Sequence, residues 1–131
     1  MGGWVGKLLG NKGERTAARY LRKQGYKILS RQYSNRAGEI DLIALDSETV
    51  VFVEVKTRSS ARHGDPVDAV SVEKQRRLTR TALIWLKAKG LLEQRSRFDV
   101  IAILWPEQGR KPEIRHYQSA FEPNSQGQMF A

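Results

Sequence analysis

Two hydrophobic periods alternate along this chain. The runs Glu39–Leu45 and Thr49–Lys56 are rich in Val, Ile, Leu and Phe and flank a polar turn, Asp46-Ser47-Glu48. That pattern predicts two buried strands joined as an antiparallel hairpin. Ahead of them, Lys12–Gln24 carries Glu14, Ala17, Ala18 and Leu21 at i, i+3, i+4, i+7. This spacing predicts a helix with that stripe facing inward, stopped at Gly25. Tyr26–Tyr33 reads as a strand, and residues 34–38 as a turn into the hairpin. Residues 57–68, TRSSARHGDPVD, read as a polar loop, with His63 a loop residue rather than a ligand. Ala69–Lys89 returns to the helical period through Val70, Lys74, Leu78, Ala82, Trp85 and Leu86, and Gly90 stops it. Arg97–Trp105 predicts a strand, and Glu113–Tyr117 a short last one.

Short turns between the first three strands predict an antiparallel meander. The long helix before Arg97 allows a crossover to a parallel neighbour. The expected architecture is α/β, a mixed sheet flanked by helices. It forms a single domain over residues 12–117, with residues 1–11 and 118–131 as flexible termini.

Charges break the apolar pattern at particular places. Glu39 and Asp41 share one face of their strand, and Glu54 and Lys56 share one face of theirs, since side chains alternate along a strand. The hairpin brings Asp41 to the end of the second strand where Glu54 and Lys56 sit. Burying charge is costly unless it is paired or binds metal. Glu14, at the head of an apolar stripe, either favours the helix dipole or reaches from the helix toward these carboxylates. Asp99 interrupts its strand as Asp41 does. Whether Glu39, Asp99 and Lys74 join the cluster or only line it stays open at this level.

Composition narrows the chemistry. The 131 residues contain no cysteine and two histidines. Disulfides, thiolate zinc sites and cysteine nucleophiles are therefore excluded, and a histidine-rich metal centre is disfavoured. Carboxylates remain as ligands, and these favour hard ions such as Mg²⁺ or Mn²⁺. No apolar run approaches the ~18 residues of a membrane span. The apolar part of the N-terminus is too short for a secretory signal, and a cysteine-free chain is compatible with the cytoplasm. A formal charge of +9 favours nucleic acid as partner. Arg58 and Arg62 in the loop, with Lys74, Arg76, Arg77 and Arg80 on the second helix, are the candidate phosphate contacts.

Hydrolysis of a phosphodiester needs stabilisation of the charge growing on phosphate, which a carboxylate-held divalent ion supplies. It also needs a group to orient the attacking water, which a neighbouring lysine can do. Glu14, Asp41, Glu54 and Lys56 contain these parts. There is no P-loop or G-x-S-x-G pattern. A two-carboxylate glycosidase site would leave Lys56 and the basic charge without a role.

Asp41 followed by Glu54-Val55-Lys56 resembles the PD-(D/E)xK pattern of restriction-endonuclease-like nucleases. The fuller run, Gly13-Glu14, Gly38-Glu39-Ile40-Asp41-Leu42-Ile43-Ala44 and Phe52-Val53-Glu54-Val55-Lys56-Thr57-Arg58, resembles the YraN-like family of small bacterial proteins, grouped with Holliday-junction-resolvase-like nucleases. Ile40 stands where the superfamily's nominal motif has proline. The resemblance implies a restriction-endonuclease-like core and Mg²⁺ or Mn²⁺ held by Asp41 and Glu54 with help from Glu14. It also implies that Lys56 handles the water and that structured or branched DNA is cut, and, since resolvase-like members often act as dimers, it suggests a homodimer. The alternative is a non-catalytic nucleic-acid-binding module on a nuclease fold.

Overall fold

A computed structural model describes residues 2–58, 70–106 and 111–122, with side chains from Asn11 onward. Helix α1 spans Gly2–Lys23, followed by strands β1 (Lys27–Asn35), β2 (Gly38–Asp46) and β3 (Thr49–Arg58). Helix α2 (Val72–Ala88) leads into β4 (Ser96–Leu104) and β5 (Glu113–Tyr117). The five strands form one sheet in the order β1-β2-β3-β4-β5. The first three are antiparallel neighbours, β3 and β4 are parallel, and β5 returns antiparallel to β4. This is the expected mixed α/β sheet, with α2 as the crossover that a parallel pair requires.

Each helix covers one face. Ala17, Ala18 and Leu21 of α1 pack on Leu42, Ala44, Val51, Val53, Ile101 and Ile103. Leu78, Ala82, Trp85 and Leu86 of α2 pack on Ile40, Ile43, Val50, Phe52, Phe98 and Val100. Trp85 meets Phe52 edge-on at 5.9 Å, so it belongs to the core. The central strands are apolar on both faces because both faces are covered.

Most element boundaries differ from the sequence expectation by a residue or two, and three differ in ways that matter to the fold. Helix α1 begins at Gly2 rather than Lys12, so residues expected as a loose lead continue the helix. Helix α2 begins at Val72 rather than Ala69, because Ser71 is its N-cap and accepts the Lys74 amide at 3.1 Å. Val70, outside the helix, still packs into the α2-side core. Strand β3 runs past Lys56 to Arg58, because β4 extends alongside it and pairs Arg58 with Leu104. Trp105 N–H closes that end on the Arg58 carbonyl at 2.8 Å. Arg62 and His63 lie outside the described residues. The stops expected at Gly25 and Gly90 both occur, each with the left-handed backbone that glycine tolerates.

Candidate active site

Strands β2 and β3 part company at Asp41. Their ladder runs from Asp46↔Thr49 to Leu42↔Val53 and then ends. On the other side, β1 pairs Arg31 with Leu42 and Tyr33 with Ile40, leaving Gln32 and Asp41 out of the ladder. Gln32 there adopts a left-handed backbone, φ 52°, a costly conformation for a side chain of that kind. The break changes the facing of β2: Ile40 packs on the α2 side, whereas Leu42 packs on the α1 side. Into the gap comes the Asp41 carboxylate, whose Oδ2 accepts the Val55 amide at 2.8 Å.

Glu54 and Lys56 project from β3 on the α2 side. Glu54 is 8% exposed. Its Oε2 lies 3.3 Å from Lys56 Nζ and also takes an ion pair from Lys74 Nζ, on the first turn of α2. Asp41, Glu54, Val55, Lys56, Lys74 and Arg77 line one cleft of about 450 Å³. Gly38 lies at its edge, where α2 comes so close that an added Cβ would stand 3.0 Å from Thr81 Oγ1.

The charges of the cleft shift one another. Burial pushes the Asp41 carboxyl up to about 7, and the neighbouring Glu54 charge adds to the rise. For Glu54, burial also pushes upward, but the net shift is down because the Lys74 hydrogen bond stabilises the carboxylate, with Asp41 and Lys56 assisting. The Lys56 ammonium is lowered, first by burial and then by Lys74 beside it. For Lys74, burial works downward and is outweighed by the Glu54 carboxylate, so its net shift is up. Burial and the neighbouring Glu54 charge favour the protonated form of Asp41, while Lys74 favours the ionised form of Glu54, and such opposed shifts are a pattern associated with functional sites.

Glu14 sits across the sheet from this cleft. It is 5% exposed, as the inward stripe predicts, and accepts Arg31 Nε at 3.2 Å. A second cleft, of about 520 Å³, contains Asn11, Glu14, Gln32 and Thr57 and shares Glu39, Asp41 and Val55 with the first. Glu14 still raises the Asp41 carboxyl by its charge. Among the described residues, however, no three His, Cys, Asp or Glu side chains converge into a metal-binding group. The reason is topological: α1 and α2 lie on opposite faces, and Asp41 stands between them. Gly13 allows α1 its approach, since a Cβ there would fall 2.3 Å from Thr57 Cγ2.

A hard divalent cation fits the donors that remain. Asp41 and Glu54 offer oxygen donors, and a cation beside them would favour the ionised form of Asp41, which burial and the Glu54 charge disfavour. The arrangement fits in kind, with two carboxylates at its centre and Glu14 at its border.

The other expected positions spread out. Arg77 lines the carboxylate cleft, and its guanidinium lies 3.7 Å from Glu73. Arg80 lines a separate open cleft with Arg36, Leu83 and Ile84. Arg76 is exposed on α2. Arg58 shares the Glu54 and Lys56 face at the end of β3 and donates to the Thr57 carbonyl at 3.1 Å. Glu39 is exposed on the rim of both carboxylate clefts. Asp99 does not join them. It accepts Arg97 Nε and the Ser119 amide, each at 3.0 Å, and lies 2.7 Å from His116 Nε2, at the α1 side of β4. The Arg31 partner of Glu14 and the Gln32 distortion beside Asp41 carried no periodic signal in the sequence. The pairing of Lys74 with Glu54 was legible only as an inward-leaning helix position.

Residues 13–103 match the model of the uncharacterised protein family UPF0102. A UPF0102 protein of Geobacter metallireducens is 48% identical over 116 residues, covering 88% of this chain and 93% of the relative. One from Rhodopirellula baltica is 50% identical, covering 86% of this chain and 70% of the relative. A third, from Rhodococcus jostii, is 46% identical over 86% of this chain and 95% of the relative. The chain accordingly belongs to UPF0102, the YraN family of the restriction-endonuclease-like superfamily.

Proposed function

We propose that this protein is a Mg²⁺- or Mn²⁺-dependent endonuclease that hydrolyses phosphodiester bonds in structured or branched DNA. The observation that carries the proposal is the apposition of Asp41 and Glu54 at the point where β2 leaves β3, with Lys56 3.3 Å from Glu54. Asp41 and Glu54 would hold the cation, with Glu14 contributing charge from the adjoining cleft. When bound, the cation would supply Lewis-acid stabilisation of the charge that grows on the phosphate oxygens.

The chain's own residues supply the rest. Lys56, its ammonium destabilised by burial and by Lys74, is suited to orient the attacking water and exchange a proton with it. Lys74 and Arg77 form a cationic wall for the phosphates on the same cleft. Arg80 and Arg76 extend that charge along α2, and a homodimer would offer two such surfaces to a branched substrate. The net charge of +9 draws the polyanion to the surface. A second reading, a non-catalytic nucleic-acid-binding module, is favoured by one observation: two ammonium groups already neutralise Glu54.

The test is a cleavage assay on labelled single-stranded, duplex, flapped and four-way DNA with Mn²⁺, Mg²⁺ or EDTA. Metal-dependent cutting by the native protein that is lost in Asp41→Ala supports the endonuclease. Cutting that survives in Asp41→Ala removes this site from the reaction. Salt-sensitive binding without cutting on any of the four substrates favours the binding module.

A further inference from the structure

Glu54 has two cationic partners of different origin. Lys56 is two residues away on the same strand, so its side chain starts from the same face as Glu54. Lys74 comes from the first turn of α2, across the cleft, on a side chain that is 33% exposed. Both ammonium groups lie on the same oxygen, Oε2, of a carboxylate side chain only 9% exposed. A charge that is so desolvated needs a counter-ion, and Lys74 supplies one from across the cleft.

We infer that Lys74 is a tethered counter-cation which a divalent ion must displace from Glu54 in order to bind. The inference rests on the reading of Asp41 and Glu54 as the cation site and adds to it a device that sets the site's affinity. Lys74 and a divalent ion seek the same carboxylate, so their occupancies are mutually exclusive in charge. Metal-free protein keeps Glu54 satisfied, and the buried carboxylate pair survives without a cation. On displacement, the lysine stem swings within the same cleft wall, which it shares with Arg77. An anion entering the cleft then meets a freed ammonium. Arg76, one helical step from the cleft and exposed, has no such partner role and serves as the charge-matched control.

The deciding experiment is calorimetric titration of Mn²⁺ into the full chain, without nucleic acid, for the native protein and four variants. Thermal midpoints in EDTA confirm that each is folded. Lys74→Gln and Lys74→Met, which remove the tethered charge, are expected to bind Mn²⁺ about tenfold more tightly, the gain from losing one half-buried competing ion pair. Lys74→Arg keeps the charge and is expected to stay within about threefold of the native affinity. Arg76→Gln removes an equal charge at the surface and is expected to change affinity by about twofold at most. If Lys74→Gln and Lys74→Met bind Mn²⁺ no more tightly than Arg76→Gln does, the displacement is overturned while the cation site stands. If neither the native protein nor any variant binds Mn²⁺, the cation site itself falls, and the endonuclease reading falls with it.

Discussion

The Asp41 carboxylate takes the Val55 amide at 2.8 Å, in the place where a strand carbonyl would ordinarily stand. One residue thus bridges the broken β2–β3 ladder and lines the cleft. Val55 separates Glu54 from Lys56, so the same bond holds the backbone that carries both. Asp41 therefore acts on the fold and on the candidate chemistry together, and the two roles separate experimentally.

Asparagine at position 41 keeps an oxygen for the Val55 amide and removes the titrating charge. The Asp41 carboxyl is raised from 3.8 to about 7 in the folded protein. Between those values the folded state binds more protons than the unfolded state, so this group makes stability fall as pH rises through that window. Asp41→Asn is expected to flatten the fall and, in EDTA at pH 8, to exceed the native stability by roughly 1–2 kcal/mol, allowing for solvent screening. Urea denaturation at pH 5 and pH 8 reads both quantities.

Lys56 sits 3.3 Å from Glu54 and lines the cleft. Lys56→Ala is expected to lower the single-turnover cleavage rate by about 100-fold or more, the range of a lost acid–base group. Affinity for the same DNA, measured by anisotropy in Ca²⁺, should change by about threefold or less, because one cation among many contributes little to the total. A parallel loss of rate and affinity would make Lys56 a binding residue only.

Arg77 lines the carboxylate cleft and Arg80 the neighbouring one, on the same helix. Replacing both with glutamine is expected to weaken DNA binding and to reduce the slope of log K against log salt by about one per lost phosphate contact. The measurement is a salt titration of binding to duplex DNA. An unchanged slope would place the phosphate path elsewhere on the basic surface.

Gly13 faces Thr57 so closely that a Cβ would meet its Cγ2 at 2.3 Å. Threonine is stiff at χ1 and cannot turn that methyl aside freely. Gly13→Ala is expected to cost about 1–3 kcal/mol, overpacking outweighing the gain in helix propensity. Thr57→Ser deletes the methyl, and the double variant should recover most of the loss. Thermal or urea unfolding of the four proteins forms a cycle that measures the coupling.

Asp99 is 1% exposed and holds Arg97, His116 and the Ser119 amide in one network. Asp99→Ala strands those groups in the interior and is expected to destabilise the fold by about 2–4 kcal/mol. Because Asp99 stands outside both carboxylate clefts, cleavage per folded molecule should remain within about threefold of native, since removing a distant charge shifts the site only weakly. Activity normalised to folded protein by circular dichroism checks this.

Local period and spacing alone determined much of this protein. The stripe Glu14, Ala17, Ala18, Leu21 is buried as its spacing requires, and the bounds Glu113–Tyr117 are those of the last strand. The hairpin brought Asp41 to the end of β3 that carries Glu54 and Lys56, because both strands continue from one short turn and the register propagates from it as far as Leu42↔Val53. These features follow from backbone geometry within a few residues, which sequence records directly. Tertiary structure decided the rest. Asp41 and Asp99 look alike in sequence, each an acid inside an apolar strand, yet one lines a cleft and the other joins a buried network of Arg97 and His116. Glu14 and Lys74 both lean inward on their helices. The sheet lies between α1 and α2, so Glu14 meets Arg31 on one side while Lys74 meets Glu54 on the other. Which charge meets which depends on the face each helix covers and on where β2 breaks from its neighbours. Those are distances between segments far apart in the chain, and no local period encodes them.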